Sequence, residues 1–164
     1  MTLLRRSFGL ACLGLSIPLV ACGNVKTAVV IADIKIAFAA LSAQLPGLAR
    51  ANPSLAAKIT PYINDGNALA KNLAAASPTM INDVTTIEGF LNAILRTAAD
   101  GQQLPPPYDK VIAALAVMAP IVESYANSLL PPDSPKKVAA RAPFPHPGIE
   151  NADQARATFA AYAQ

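Results

Sequence analysis

"IADIKIAFAALSAQLPGL", residues 31–48, carries apolar side chains at Ile31, Ile34, Phe38, Leu41, Leu45 and Leu48. The intervals alternate between three and four residues, which keeps those side chains on one face of an α-helix. The rhythm returns at Leu55, Ile59, Tyr62, Gly66, Leu69 and Leu73. A third series runs through Met80, Val84, Ile87, Leu91 and Ile94, with Phe90 beside it. A fourth takes Val111, Leu115, Met118, Val122, Tyr125 and Leu129. One apolar stripe per helix is the pattern of a bundle whose stripes share a core. The expected fold class is therefore all-α, a four-helix bundle-like domain.

The residues between the stripes support the same division. Asn52-Pro53, Thr60-Pro61 and Ser77-Pro78 each pair a capping side chain with a proline tolerated in the first helical turn. Asp100-Gly101 stops the third helix, and Pro105-Pro106-Pro107 leads into the fourth. Asp65-Gly66 is a turn signal inside the second stripe, and Pro61 is a second place where that helix could restart, so its continuity stays open. Pro120 is expected to kink the fourth helix, because it lacks a backbone donor and crowds the preceding turn.

Alanine, a strong helix former that buries little surface, accounts for much of the 53% hydrophobic content. None of the four stripes reads as a membrane span. Asp33 and Lys35 interrupt the first, and the uncharged run from Val111 to Val122 is too short to cross the hydrocarbon. From Pro131 the composition changes. "PPDSPKKVAARAPFPHPG" holds six prolines and three basic residues and reads as an extended linker. A short amphipathic segment follows, with Ile149, Ala152, Phe159 and Tyr162 on its apolar side. Deleting everything after Leu130 is expected to leave the bundle folded.

The N-terminus has the parts of an export signal. Arg5 and Arg6 form a basic region, Phe8 to Val20 is uncharged and apolar, and Leu19-Val20-Ala21 leads into Cys22. This last group resembles the lipobox of bacterial lipoproteins: Leu, a small or branched residue, Ala or Gly, then Cys. Cys12 fits less well, since Gly9 stands three residues before it where that family wants Leu. The resemblance covers only the first two dozen residues. It implies diacylglyceryl transfer to the Cys22 thiol, cleavage before Cys22 and acylation of the new amine. Several acyl chains hold a protein at a bilayer where one does so only marginally. Gly23 lacks the aspartate that retains some such lipoproteins in the inner membrane, which implies the outer membrane and the periplasm. Arg5-Arg6-Ser7-Phe8 also resembles part of a twin-arginine signal, but Leu4 and Gly9 depart from it, and general secretion is the default.

The expected organisation is a signal peptide at 1–21, a helical domain at 22–130, a proline-rich linker at 131–149 and a short helix at 150–164. Removing the signal discards Arg5, Arg6 and Cys12. The formal charge then falls from +3 to +1, and one cysteine is left, so no internal disulfide forms. The basic residues do not cluster among exposed aromatics, as a nucleic-acid surface requires.

Candidates for chemistry are few. His146, the single histidine, lies between Pro145 and Pro147, a poor support for a catalytic triad, and is read as a solvated tail residue. No His/Cys cluster suggests a metal, and no cofactor motif appears. "NDGN" at residues 64–67 lacks the spaced acids of a calcium loop. Asp83 and Glu88 do not stack on one helical face and read as a solvated polar surface. Gly66 and Gly89 interrupt helices. Close helix approach is the preferred account, and a gap for a small apolar ligand bordered by Gly66, Gly89 and Met118 is the alternative. Lys136, Lys137 and Arg141 read as part of a solvated linker. The expected function is a non-enzymatic interaction or scaffold component of the bacterial envelope, held to the membrane through Cys22 and contacting an envelope partner through its arm. A carrier for a small apolar ligand is the alternative. An enzyme is the third reading, and a phage lysis lipoprotein of the spanin type is a further one, although this chain is longer and more helical than that resemblance suggests.

Overall fold

The computed structural model describes residues 20–100, 104–135, 144 and 146–164, with side chains from Lys26 onward. The expected signal segment falls outside the described residues up to residue 19. So do the side chain of Cys22 and the arm positions Lys136, Lys137 and Arg141. Five helices follow one another: α1 (Val20–Ala51), α2 (Pro53–Asn72), α3 (Met80–Ala99), α4 (Tyr108–Leu129) and α5 (Ala152–Tyr162). No strand occurs among the described residues. Each of the first four helices packs on the next, α4 closes back onto α1, and α5 lies against both α1 and α4. The fold is an all-α bundle.

The turn between α1 and α2 is a single residue. Asn52 leaves the helical region at φ −146° and ψ 81°, and its side chain accepts a hydrogen bond from the Leu55 amide at 3.1 Å. Pro53 takes the first position of α2, where its missing N–H costs nothing. The chain reverses there. Phe38 and Gly66, equally far from Asn52 along the chain, meet across the antiparallel pair. A Cβ on Gly66 would overlap the Phe38 ring. Gly66 therefore lets a large aromatic lie flat on α2, and α2 runs unbroken through Pro61, Asp65 and Gly66. Thr60 caps nothing, and its hydroxyl instead donates to the Ala56 carbonyl within the helix. Ser77 likewise lies short of α3, whose N-cap residue is Thr79.

The stripes read from spacing are largely the buried faces. Ile34, Phe38, Leu41, Leu48, Ile59, Val84, Ile87, Leu91, Ile94, Val111, Leu115 and Val122 are all buried. Tyr62 differs. It is exposed, with its ring centroid 6.2 Å from that of Phe90, while Ile63 next to it is wholly buried. Twenty residues of α2 at 3.6 residues per turn drift from a strict three-four stripe, and here the burial moves across by one position. On α3, Glu88 is buried, where a solvated polar face was expected, and the Asn92 amide donates to its carboxylate. α4 buries the widest face because it touches α3, α1 and α5.

The end of the chain belongs to the same core. Phe159 and Ala155 are completely buried, Ile149 nearly so, and Phe144 packs against the cluster. Asn151 and Gln154 form a capping box that starts α5. Helix α5 therefore packs as a fifth element of the bundle. His146 is also placed differently from the expected solvated tail. Its Nε2 lies 3.6 Å from Asp109 Oδ2 at the start of α4, and its side chain is only 23% exposed.

Segments Lys26–Ala51 and Tyr108–Leu129 are long and apolar enough to cross a membrane by length and composition. About half of each is buried in the bundle, as core helices require.

Candidate functional site

Helix α5 is half the length of α4, so it cannot cover the whole groove between α4 and α1. Beyond its covered part the groove opens into a cleft of about 590 Å³, well within the size of small-molecule sites. From α1 come Lys26, Val29, Val30 and Asp33, which recur at helical spacing along one face. From α4 come Pro120, Ile121, Ser124, Tyr125 and Ser128, and α5 contributes Arg156. Val29 is 42% exposed, an unusual position for a branched apolar side chain in a bundle.

Arg156 and Asp33 close one end. Arg156 Nε donates to Asp33 Oδ1 at 2.7 Å and Nη2 donates to Oδ2 at 2.8 Å, a two-pronged pair. Its third nitrogen, Nη1, donates to Asp153 Oδ1 at 2.9 Å. The hydrogen bond to Asp33 pushes the guanidinium pKa still further up, so the charge is permanent. Asp33 is only 5% exposed. A buried carboxylate is costly without such a partner, and this pair fixes α5 against α1. Gln44 adds a second link, donating to the Tyr162 carbonyl at 3.2 Å. At the other end the Tyr125 hydroxyl donates to Thr27 Oγ1 at 2.9 Å and lies 3.8 Å from Met80 Sδ. That bond ties α4 to the first turns of α1. The walls between are apolar: Val29 and Val30 on one side, Pro120 and Ile121 on the other.

None of the three residues suggested as bordering a ligand gap lines this cleft. Gly66 faces Phe38 and leaves no gap. Gly89 is exposed, and a Cβ added there would meet nothing within 4 Å, so it borders no helix interface at all. Met118 is buried in the core. The gap is on another face of the bundle, and the structure does not bring the three together. Cys22 lies in the first turn of α1, four residues before Lys26.

Sequence reasoning missed Asp33 and Arg156. The signal for Asp33 was present, since a lone acid beside Ile34 in an apolar stripe needs a buried counter-charge. Nothing local identified Arg156, which stands 123 residues away. Chemically, the cleft offers apolar walls, hydroxyl groups and one amine. The nearest approach to an acid–base pair, His146 with Asp109, sits at the opposite end of α4. Among the described residues no three His, Cys, Asp or Glu side chains gather as a metal site. Compared with known proteins, the chain matches no family model, no curated protein and no solved structure.

Proposed function

We propose that this chain is a lipid-anchored protein of the bacterial envelope, tethered through Cys22, whose helical body binds a small apolar molecule in the cleft between α1, α4 and α5. The cleft carries this reading. It combines apolar walls with a few polar groups at its ends, the usual make-up of a small-molecule site. The tether rests on the lipobox resemblance at Leu19 to Cys22. Cleavage there removes two residues from α1 and leaves the lipid one turn from Lys26. The periplasmic face of the outer membrane is the address that Gly23 suggests.

The scaffold reading places its contacts on the arm and the terminal helix. Phe144, Ile149 and α5 pack onto the body, which leaves less of that arm available and favours binding in the cleft. The work proposed is binding, with the ion pair and hydroxyls holding the walls in place.

The test uses full-length protein purified from membranes. Intact mass should show a chain beginning at Cys22 with added acyl groups, and an unmodified thiol overturns the tether. Solvent extraction of the same sample should release a non-covalently held apolar compound. Ser124→Trp, an exposed position on the cleft wall, should remove that compound while the helical circular-dichroism spectrum stays that of the parent protein. Equal recovery from the variant overturns binding in the cleft.

A further inference from the structure

We infer that the cleft takes a single-chain alkyl carboxylate, one apolar tail with one negative head, drawn from the membrane to which Cys22 tethers the protein. The inference rests on the binding reading above and names the class of molecule bound. Shape limits the tail. The cleft is one groove between two adjacent helices, walled by Val29, Val30, Pro120 and Ile121, and helix axes in such contacts stand only ~8–10 Å apart. That is room for one chain lying along the groove.

Charge selects the head. Asp33 and Arg156 neutralise each other through two short hydrogen bonds, and Arg156 spends its remaining nitrogen on Asp153. Lys26 is exposed and makes no ion pair with any described residue. The cleft lining therefore presents one unneutralised positive charge, which matches a carboxylate better than a doubly charged phosphate monoester. Lys26 stands about two helical turns from Asp33, near 10 Å along the axis, so head and ion pair occupy opposite ends. Ser124 lies on the facing wall, one residue before Tyr125, whose hydroxyl meets Thr27 beside Lys26. A head group there has an amine on one side and a hydroxyl on the other, while its tail runs towards Ile121. Location supplies the source. Lys26 follows Cys22 by one turn, ~6 Å, so the head end of the cleft is the end held at the bilayer.

Photolabelling of the full-length protein in washed membranes, free of acyl donors, tests this. Three probes share one diazirine-bearing alkyl chain and differ in the head: carboxylate, phosphate monoester or alcohol. The carboxylate should label peptides containing residues 26–33 and 120–128. Lys26→Gln should lower that labelling about tenfold, the loss of one charge-assisted hydrogen bond, and Ser124→Trp should abolish it. Both positions are exposed, and circular-dichroism spectra matching the parent protein show that the variants fold. Equal labelling by the alcohol or the phosphate, or labelling indifferent to Lys26→Gln, overturns the carboxylate assignment and leaves cleft binding standing. Failure of all three probes to label the cleft overturns both.

Discussion

Helix α1 makes two lateral contacts of opposite character. Against α2 it is closed: Phe38 lies on the bare backbone of Gly66, and no side chain separates them. Against α4 it is open along part of its length, because the helix that should fill the groove, α5, is too short to reach the end. The closed face is made by matching one large side chain to one absent side chain. The open face is bounded by a charged pair at one end and a tyrosine hydroxyl at the other. Closure here follows from side-chain size, and openness follows from element length. Alanine-rich helices would otherwise pack tightly all round.

The largest expected effect tests whether α5 is part of the closed structure. Phe159 is wholly buried between α5 and its neighbours, so Phe159→Ala should cost about 3–5 kcal/mol. Truncation after Leu130 should cost at least as much, since it also uncovers Ile149 and leaves Asp33 without Arg156. Chemical denaturation of both forms measures this. A loss under about 1 kcal/mol for either would detach α5 from the core and reduce the cleft to a surface groove.

The next effect sets the two helical glycines against each other. Gly66→Ala should destabilise by about 1–3 kcal/mol, because the added carbon meets the Phe38 ring and that ring has nowhere to move. Gly89→Ala should stabilise by up to about 1 kcal/mol, since its surroundings are open and alanine favours the helix. In a Phe38→Ala background the Gly66→Ala penalty should vanish or change sign, and thermal melting of the four proteins reads the coupling. If both glycine variants shift stability the same way, the close approach at Gly66 is refuted.

The sequence was legible where burial follows local spacing. The faces of α1, α3 and α4 could be read from three-four steps, because each helix turns one stripe inwards. On α2 the stripe failed at Tyr62, where length lets helical periodicity slip past a strict seam and Ile63 takes the buried position. Gly66 was read as either packing or a gap, and only the facing Phe38 ring decides for packing. The candidate site was less legible than the fold. It depends on where α5 ends against two helices far away in sequence, and on a pairing of Asp33 with Arg156 that no window contains. The arm looked like a linker because its prolines signal extended chain, yet Phe144 and Ile149 anchor it at intervals that composition does not reveal.

The smallest effect compares the two tyrosines of α4. Tyr125 stands at the open end with its hydroxyl bonded to Thr27. Tyr108 stands at the first residue of α4, 2% exposed, with no hydrogen-bond partner for its hydroxyl among the described residues. Burial penalises the phenolate and pushes the Tyr108 pKa above its ordinary value of 10.0. The sign of the linkage follows. The unfolded chain loses this proton near pH 10 while the folded protein keeps it, so stability is complete below pH 10 and falls as pH rises beyond it. Tyr108→Phe removes that slope. It should also change stability near neutrality by less than about 1 kcal/mol, because the hydroxyl it deletes makes no bond to protein. Urea unfolding of both proteins between pH 7 and about 11 separates the contributions, the other tyrosines and lysines being common to the pair. Parallel curves would mean that the Tyr108 hydroxyl reaches solvent, and that the start of α4 is packed less tightly than its burial implies.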